Sequence, residues 1–130
     1  MATTPETRTP QRRMDIEVDF NFSAAHRLPL YEGPCFRMHG HNYKIRVTMS
    51  GLHDVKSGMV YDFGELQKVV QREVMPSCDH QCLNDLMDNP TAENMIAWIW
   101  DRIVPHVPGL KELRLWENPE YCVLFRGERE

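Results

Sequence analysis

Apolar and polar residues alternate along two segments in the first half of the chain. The alternating apolar positions are Met14, Ile16, Val18, Phe20, Phe22 and Ala24 in the first segment, and Tyr43, Ile45, Val47 and Met49 in the second. A period of two is typical of a strand that buries one face and exposes the other. The pattern therefore predicts two strands, joined by a loop that contains Pro29, Gly33 and Pro34 and followed by a stop at Gly51.

A helical period replaces this alternation in the middle of the chain. Asp62 and Glu65 have the spacing of a capping box, and the apolar stripe that follows them ends at Pro76. A second stripe runs over residues 91–104 and stops at Pro105. The sequence therefore predicts two helices, the second of which begins near Thr91.

Alternation returns near the end of the chain, over residues 113–116 and 121–125, on either side of a turn at 118–120. These segments predict two more strands that form a hairpin. The predicted order is ββααββ, which favours an α+β domain whose antiparallel sheet carries the helices. We assign residues 14–130 to this single domain and residues 1–13, which lack any period, to a disordered tail.

Charge and composition narrow the classes of function. The chain has 130 residues with 15 Lys and Arg against 19 Asp and Glu, which gives a net charge of −4. This balance argues against a nucleic-acid or anionic membrane partner, although it allows a local basic pocket for a phosphorylated ligand. The first 13 residues have no apolar core of a secretion signal, so we expect a cytoplasmic protein whose four cysteines are reduced.

Three histidines have matching positions on the first two predicted strands. His39 and His41 lie two residues apart in register with Tyr43, and His26 continues the apolar face of the first strand. Residues two apart on a strand project from the same face, so the three imidazoles can converge if the strands pair. Three histidines without a fourth protein ligand are typical of a catalytic Zn²⁺ site, although iron and nickel also accept imidazole.

Two other polar groups have both a chemical and a structural interpretation. Cys35 lies four residues before His39, as either a small buried residue or a thiolate that acts as base or nucleophile. Asp79 and His80 are adjacent and could relay a proton, although most such dipeptides are inert. We interpret the flanking Cys78 and Cys82 as structural, because two further soft ligands for a zinc knuckle are missing.

Glu117 continues the parity of Leu113 and Leu115, which would turn a carboxylate towards apolar residues. An inward carboxylate needs a partner, because burying an unpaired charge is costly. A ligand with two N–H donors on one ring edge would supply that partner. Alternatively, the strand ends at Trp116 and Glu117 faces solvent before the turn.

Five segments of the chain together resemble one family. They are residues 22–28 (FSAAHRL), 35–43 (CFRMHGHNY), 58–63 (GMVYDF), 79–84 (DHQCLN) and 89–94 (NPTAEN). In this order and spacing they resemble the 6-pyruvoyl-tetrahydropterin synthase and 6-carboxytetrahydropterin synthase family. The resemblance extends from about residue 16 to 128, which is nearly everything beyond the tail.

The resemblance implies a tunnelling fold, with a four-stranded antiparallel sheet and two helices on one face. It also implies a homo-oligomer, commonly a hexamer made of two trimers, with active sites between subunits. In this family His26, His39 and His41 would bind zinc, and Cys35 would be the general base.

The remaining site residues are also carried over from the resemblance. Asp79 and His80 would form the proton relay, reaching the site from a neighbouring subunit. Glu117 would anchor the pterin ring through its amino and ring N–H groups, and Thr91 and Glu93 would add contacts.

The spacing between Cys35 and His39 resembles the bacterial 6-carboxytetrahydropterin synthases of queuosine biosynthesis. This implies 7,8-dihydroneopterin triphosphate as substrate and 6-carboxy-5,6,7,8-tetrahydropterin, acetaldehyde and triphosphate as products. Arg27, Lys44 and Arg46 are candidates to bind the triphosphate. The alternatives are the sister enzyme that forms 6-pyruvoyl-tetrahydropterin and a non-catalytic pterin- or metal-binding protein on the same fold.

Overall fold

The computed structural model describes residues 10–128, which contain five strands and three helices. The strands are β1 (Arg13–His26), β2 (His39–Leu52), β3 (Gln81–Cys82), β4 (Leu110–Asn118) and β5 (Tyr121–Phe125). The helices are α1 (Phe63–Glu73), α2 (Met75–Cys78) and α3 (Ala92–Ile103). Most of the tail predicted for residues 1–13 lies outside the described residues, and β1 already includes Arg13.

One sheet holds all five of these strands in the order β3-β1-β2-β4-β5. β1 and β2 pair antiparallel along their whole length, from Arg13 opposite Leu52 to His26 opposite His39. The α+β class and the antiparallel core of the sheet are confirmed. The predicted strand count of four was wrong, because β3 adds a parallel edge of only two residues beside β1. A strand this short has no period that a sequence pattern could reveal.

The helices cover one face of the sheet and bury the alternating apolar residues there. Ile45 and Val47 on β2, Leu113 and Leu115 on β4, and Ile99 on α3 are fully buried in one hydrophobic cluster. Removing this apolar surface from water contributes about 25 cal/mol per Å² and is the main stabilising term of the fold. The long alternating strands thus present two distinct faces, and the covered face ends at the histidines.

Side-chain caps fix where the two long helices begin. The Asp62 carboxylate accepts a hydrogen bond from the Gly64 N–H at 2.8 Å, so the predicted N-cap is confirmed. The second half of the predicted capping box was wrong, because the Glu65 carboxylate instead contacts Lys68 Nζ at 3.1 Å. Thr91 caps α3 through its Oγ1, which accepts from the Asn94 N–H at 3.1 Å.

The opposite face of the sheet is polar and carries cross-strand ion pairs. Arg46 on β2 lies opposite Asp19 on β1 and donates to it at 2.7 and 3.0 Å. Lys111 Nζ contacts the carboxylate of Asp15 at 2.6 Å, and Asp15 lies on the same face of β1 as Asp19. Within residues 10–128, none of the helices combines the length and apolar character needed to cross a membrane.

Candidate functional site

The three predicted histidines come together at one end of the covered face. His26 is the last residue of β1 and pairs directly with His39, the first residue of β2. His41 pairs with Ala24, one step along the same face. The possible ligand atoms of the three imidazoles all lie within 4.8 Å of one another. The antiparallel register therefore assembles the group that the strand parity predicts.

Two backbone carbonyls determine which ring nitrogens carry protons. His26 Nδ1 lies 2.7 Å from the carbonyl oxygen of Pro90, and His39 Nδ1 lies 2.7 Å from that of Arg37. A carbonyl oxygen only accepts hydrogen bonds, so each Nδ1 must be the donor. In neutral rings both lone pairs are then on the Nε2 atoms, which face each other at 3.0 Å. Two unprotonated nitrogens this close repel each other unless they share a cation, and a metal ion bound by both rings supplies it.

Burial favours the neutral, metal-binding form of two of the three imidazoles, those of His26 and His41. Burial is the largest effect on His26 and His41 and lowers the pKa of both below the ordinary histidine value. The negative charge of Glu117 opposes this shift at both residues. The carboxylate therefore lies close enough to the triad to act on it electrostatically. Neutral imidazoles with fixed Nδ1 donors match the second shell typical of metal-bound histidine.

Glu117 is half-buried and lines a cavity of about 310 Å³ on the covered side of the sheet. Thr91 and Glu93, at the start of α3, line the same cavity, and Leu115 and Val123 add apolar surface. The predicted inward orientation of Glu117 is confirmed, and the structure brings the three predicted ring-binding residues together. A helix N-terminus beside a carboxylate is electrostatically favourable, and this volume is within the usual range for ligand pockets.

Cys35 lies in the loop that connects His26 and His39. It is half-buried in a 3₁₀ turn at Pro34–Phe36, and its carbonyl oxygen accepts from the Leu28 N–H at 2.8 Å. Because His26 and His39 are cross-strand partners at the two ends of this loop, Cys35 is held at the triad end of the sheet. Its predicted role as a base remains a prediction.

The structure places Asp79 and His80 elsewhere, directly before β3 and beside Ser23 of β1. The Ser23 N–H donates to the Asp79 carboxylate at 3.1 Å, and the Ser23 carbonyl accepts from the His80 N–H at 2.6 Å. Ser23 belongs to the open face, which is the polar face of the sheet opposite the helices, whereas His26 projects from the face that the helices cover. The His80 side chain is 82% exposed, and its backbone has a φ of 58°, a strained value for a residue with a Cβ.

A broad depression of about 560 Å³ surrounds His80 on this edge, with Ser23, Asn42 and His41 in its lining. The Asp79 carboxylate lies 3.1 Å from His80 Nδ1, so the predicted pair is formed. Within one subunit, however, neither residue of this pair lines the cavity that contains Glu117.

The candidate triphosphate ligands are also divided between different surfaces. Lys44 and Arg46 project from the open face, where Asp19 lies 3.4 Å from the lysine and 2.7 Å from the arginine. Both cations are thus paired on the side of the sheet opposite to the triad within one subunit. Arg27 follows His26 directly, and its guanidinium lies over the Phe36 ring at 5.8 Å.

Sequence reasoning missed three groups that hold the triad in place. The carbonyl oxygens of Pro90 and Arg37 orient two of the rings, and the buried Tyr43 hydroxyl lies 3.2 Å from His26 Nδ1. Backbone carbonyls have no residue-specific signal. Tyr43 shares the parity of His39 and His41, which was the available sign that its side chain lies beside them.

Comparison with known proteins agrees with this geometry. The family model described as 6-pyruvoyl tetrahydropterin synthase matches residues 15–128. A dihydroneopterin monophosphate aldolase from Pyrococcus furiosus is 42% identical over 106 residues, covering 79% of this chain and 89% of the relative. A 6-carboxy-5,6,7,8-tetrahydropterin synthase from Synechocystis is 37% identical over 110 residues, covering 79% and 85% of the two chains.

Solved structures also include a near neighbour of the fold. The 6-pyruvoyl tetrahydropterin synthase of Caenorhabditis elegans superposes with a TM-score of 0.82 at 28% identity, covering 93% of this chain and 99% of that one. This similarity confirms the tunnelling fold predicted from the five sequence segments. The chain belongs to the 6-pyruvoyl tetrahydropterin synthase family and is a lyase of pterin biosynthesis.

Proposed function

We propose that this protein is a zinc-dependent lyase that makes 6-carboxy-5,6,7,8-tetrahydropterin for queuosine and other 7-deazapurines. The substrate is 7,8-dihydroneopterin triphosphate, which with one water gives the carboxypterin, acetaldehyde and triphosphate. The observation that carries the proposal is the proximity of a three-histidine group to a carboxylate-lined cavity on one face of the sheet. The similarity to the Synechocystis synthase supports the choice of reaction.

In this proposal the chain supplies one anchor for each end of the substrate. The Glu117 carboxylate accepts hydrogen bonds from the amino and ring N–H groups of the pterin, and Thr91 and Glu93 bind the same edge. His26 and His39 hold the metal through Nε2, with His41 as the third ligand. Bound zinc supplies Lewis acidity to the oxygens of the substrate side chain.

Cys35 is the proposed general base of the reaction. Its thiolate removes or returns a proton bonded to carbon on the side chain of the substrate, as general base catalysis requires. The loop that carries Cys35 is closed by the Leu28 to Cys35 hydrogen bond, which fixes the position of this residue between the two histidine-bearing strand ends. A fixed base loses less entropy in reaching the transition state.

The proposed active enzyme is a homo-oligomer, a hexamer formed by two trimers. Asp79 and His80 lie beside the β3 edge of the sheet and do not line the cavity of Glu117 in their own subunit, so we place their proton relay in the site of a neighbouring subunit. The exposed and strained His80 supports this arrangement, because strained residues cluster where function requires them. Contacts from a second subunit would also supply a site for the triphosphate.

The second candidate is an aldolase that acts on dihydroneopterin monophosphate. It is favoured by the 42% identity with the Pyrococcus protein. The same zinc site and ring anchor would serve a retro-aldol cleavage, which leaves a hydroxymethyl group on the pterin and releases a phosphorylated two-carbon aldehyde. The sister activity, which stops at 6-pyruvoyl-tetrahydropterin, and a non-catalytic pterin-binding protein remain the further alternatives.

A product assay separates these functions. Zinc-loaded protein is incubated without reductant with the triphosphate and, separately, with the monophosphate of 7,8-dihydroneopterin, and the pterins are identified by mass spectrometry. We expect a 6-carboxy product with one equivalent of acetaldehyde from the triphosphate. A hydroxymethyl product from the monophosphate would establish the aldolase instead, and a 6-pyruvoyl product would establish the sister enzyme. Absence of turnover with both substrates would leave a binding protein.

A Cys35→Ala variant is the matched control for this assay. We expect it to lose turnover while it keeps one zinc per chain, because Cys35 is not part of the histidine group. Full activity of this variant would contradict the role of Cys35 as base.

A further inference from the structure

An aromatic side chain from the β1–β2 loop forms part of the ring-binding cavity. Tyr31 lines this cavity together with Thr91, Glu93 and Glu117, and half of its surface, 51%, is exposed. Thr91, Glu93 and Glu117 supply polar groups to the cavity, while Leu115 supplies apolar surface. A planar heterocycle whose edge binds Glu117 needs apolar contact for its faces, and an aromatic ring is the best such surface.

Gly33, in the same loop, provides a packing surface for the Tyr31 ring. Gly33 has a φ of +140°, which side-chain-bearing residues rarely adopt, and a Cβ placed there would lie 2.9 Å from Tyr31 Cε1. The ring therefore packs directly against the Gly33 backbone. At the other side, the Tyr31 N–H donates to the Leu28 carbonyl at 3.1 Å. The Tyr31 backbone is thus held by a hydrogen bond, and the Tyr31 ring contacts Gly33.

We propose that Tyr31 binds a flat face of the pterin ring and that Gly33 sets the position of the Tyr31 ring. This inference rests on the proposed function, because it assumes a planar pterin in the cavity of Glu117. Tyr31 then acts with Glu117 in recognition, with the carboxylate binding the edge of the ligand and the tyrosine binding its face.

The same loop connects ring recognition with the proposed base. The Leu28 N–H that precedes Tyr31 donates to the carbonyl of Cys35 at 2.8 Å, so the two segments of the loop are joined. A pterin held against Tyr31 therefore also stabilises the loop conformation that positions Cys35. Tyr31 is a binding residue, and its effect on the base is indirect.

The test is calorimetric titration of zinc-loaded full-length protein with oxidised neopterin, which has the pterin ring but lacks the triphosphate. The variants are Tyr31→Ala, Tyr31→Phe and Gly33→Ala, with Phe36→Ala as the matched control. Phe36 lies in the same loop and is 50% exposed, but it does not line the cavity. Loss of an aromatic ring that stacks on a heterocycle weakens binding on the order of 5- to 150-fold.

We expect Tyr31→Ala to weaken neopterin binding about tenfold or more, while Tyr31→Phe and Phe36→Ala stay within about twofold of the wild type. Gly33→Ala should also weaken binding, but it should have no further effect in a Tyr31→Ala background, because the residue that it displaces is gone. If Gly33→Ala weakens binding equally in the wild-type and Tyr31→Ala backgrounds, Gly33 does not set the position of the Tyr31 ring. A merely structural defect of the loop would not give this non-additivity.

Three outcomes would overturn the inference. If Tyr31→Ala binds neopterin as tightly as the wild type, Tyr31 is not a binding residue, although the proposed function stands. If the wild type binds no pterin, both fail together. The third outcome is that Tyr31→Ala lowers the affinity and also changes the oligomer mass measured by light scattering. Tyr31 would then act in a contact between subunits instead of binding the pterin.

Discussion

The cap of α3 links the stability of the fold to the site. Thr91 Oγ1 accepts from the Asn94 N–H at 3.1 Å, and Thr91 follows Pro90, whose carbonyl oxygen holds His26. Glu93, in the first turn of α3, lines the cavity. A Thr91→Ala variant therefore removes one capping hydrogen bond from the segment that both orients His26 and supplies residues to the cavity.

The structure sets the size of the expected loss. Loss of a Thr N-cap costs about 1 kcal/mol within a range of roughly 0.5–2. The value should stay near the centre of this range, because Asn94 is exposed and its freed N–H can bind water. A change of about 1 kcal/mol shifts the unfolding equilibrium about fivefold. The start of α3 then frays more often, so we also expect weaker zinc binding.

Equilibrium unfolding in urea at one protein concentration measures this effect, with chelator and then with zinc. Thr91→Ser is the matched control, because its Oγ can accept the same hydrogen bond. We expect Thr91→Ser to recover most of the stability that Thr91→Ala loses. Equal losses in the two variants, or an unchanged free energy of unfolding in Thr91→Ala, would refute the capping argument.

Two further predictions concern the metal and a buried thiol. His39→Ala should abolish stoichiometric zinc binding in elemental analysis. The control His106→Ala, which lies outside the triad, should keep one zinc per chain. Equal zinc contents in the two variants would contradict the metal site. Burial, and then the charge of Asp79, raises the pKa of Cys78 from 9.0 to about 12. Between pH 9 and 12 the thiol ionises in the unfolded chain but stays neutral in the folded protein, so the unfolded state becomes more favourable as pH rises. The Cys78 contribution to the free energy of unfolding is therefore full below pH 9 and is about 1.4 kcal/mol smaller at pH 10. The stability difference between wild type and Cys78→Ala should therefore shrink by this amount between pH 8 and 10 in urea titrations, and a constant difference would contradict it.

Periodicity and parity predicted the parts of the site that depend on strand geometry. A period of two placed His26, His39 and His41 on one face, and the same parity placed Glu117 towards the cavity. These predictions succeeded because antiparallel pairing fixes the faces of neighbouring strands together.

The remaining features depend on tertiary contacts that leave no pattern in the sequence. The position of Asp79 is set by the Ser23 backbone, and His26 is oriented by the Pro90 carbonyl. Arg46 has the charge expected of a phosphate ligand, but the register places it beside Asp19 on the other face. Charge alone could not distinguish a cross-strand ion pair from a ligand site.

A crystal structure of zinc-loaded protein with bound neopterin would test the central claim most directly, with anomalous data collected at the zinc edge. We expect one strong anomalous peak at the triad, bound by His26, His39 and His41. We also expect the amino edge of the pterin at the Glu117 carboxylate. A metal held by other residues, or a pterin bound outside this cavity, would contradict the proposed site.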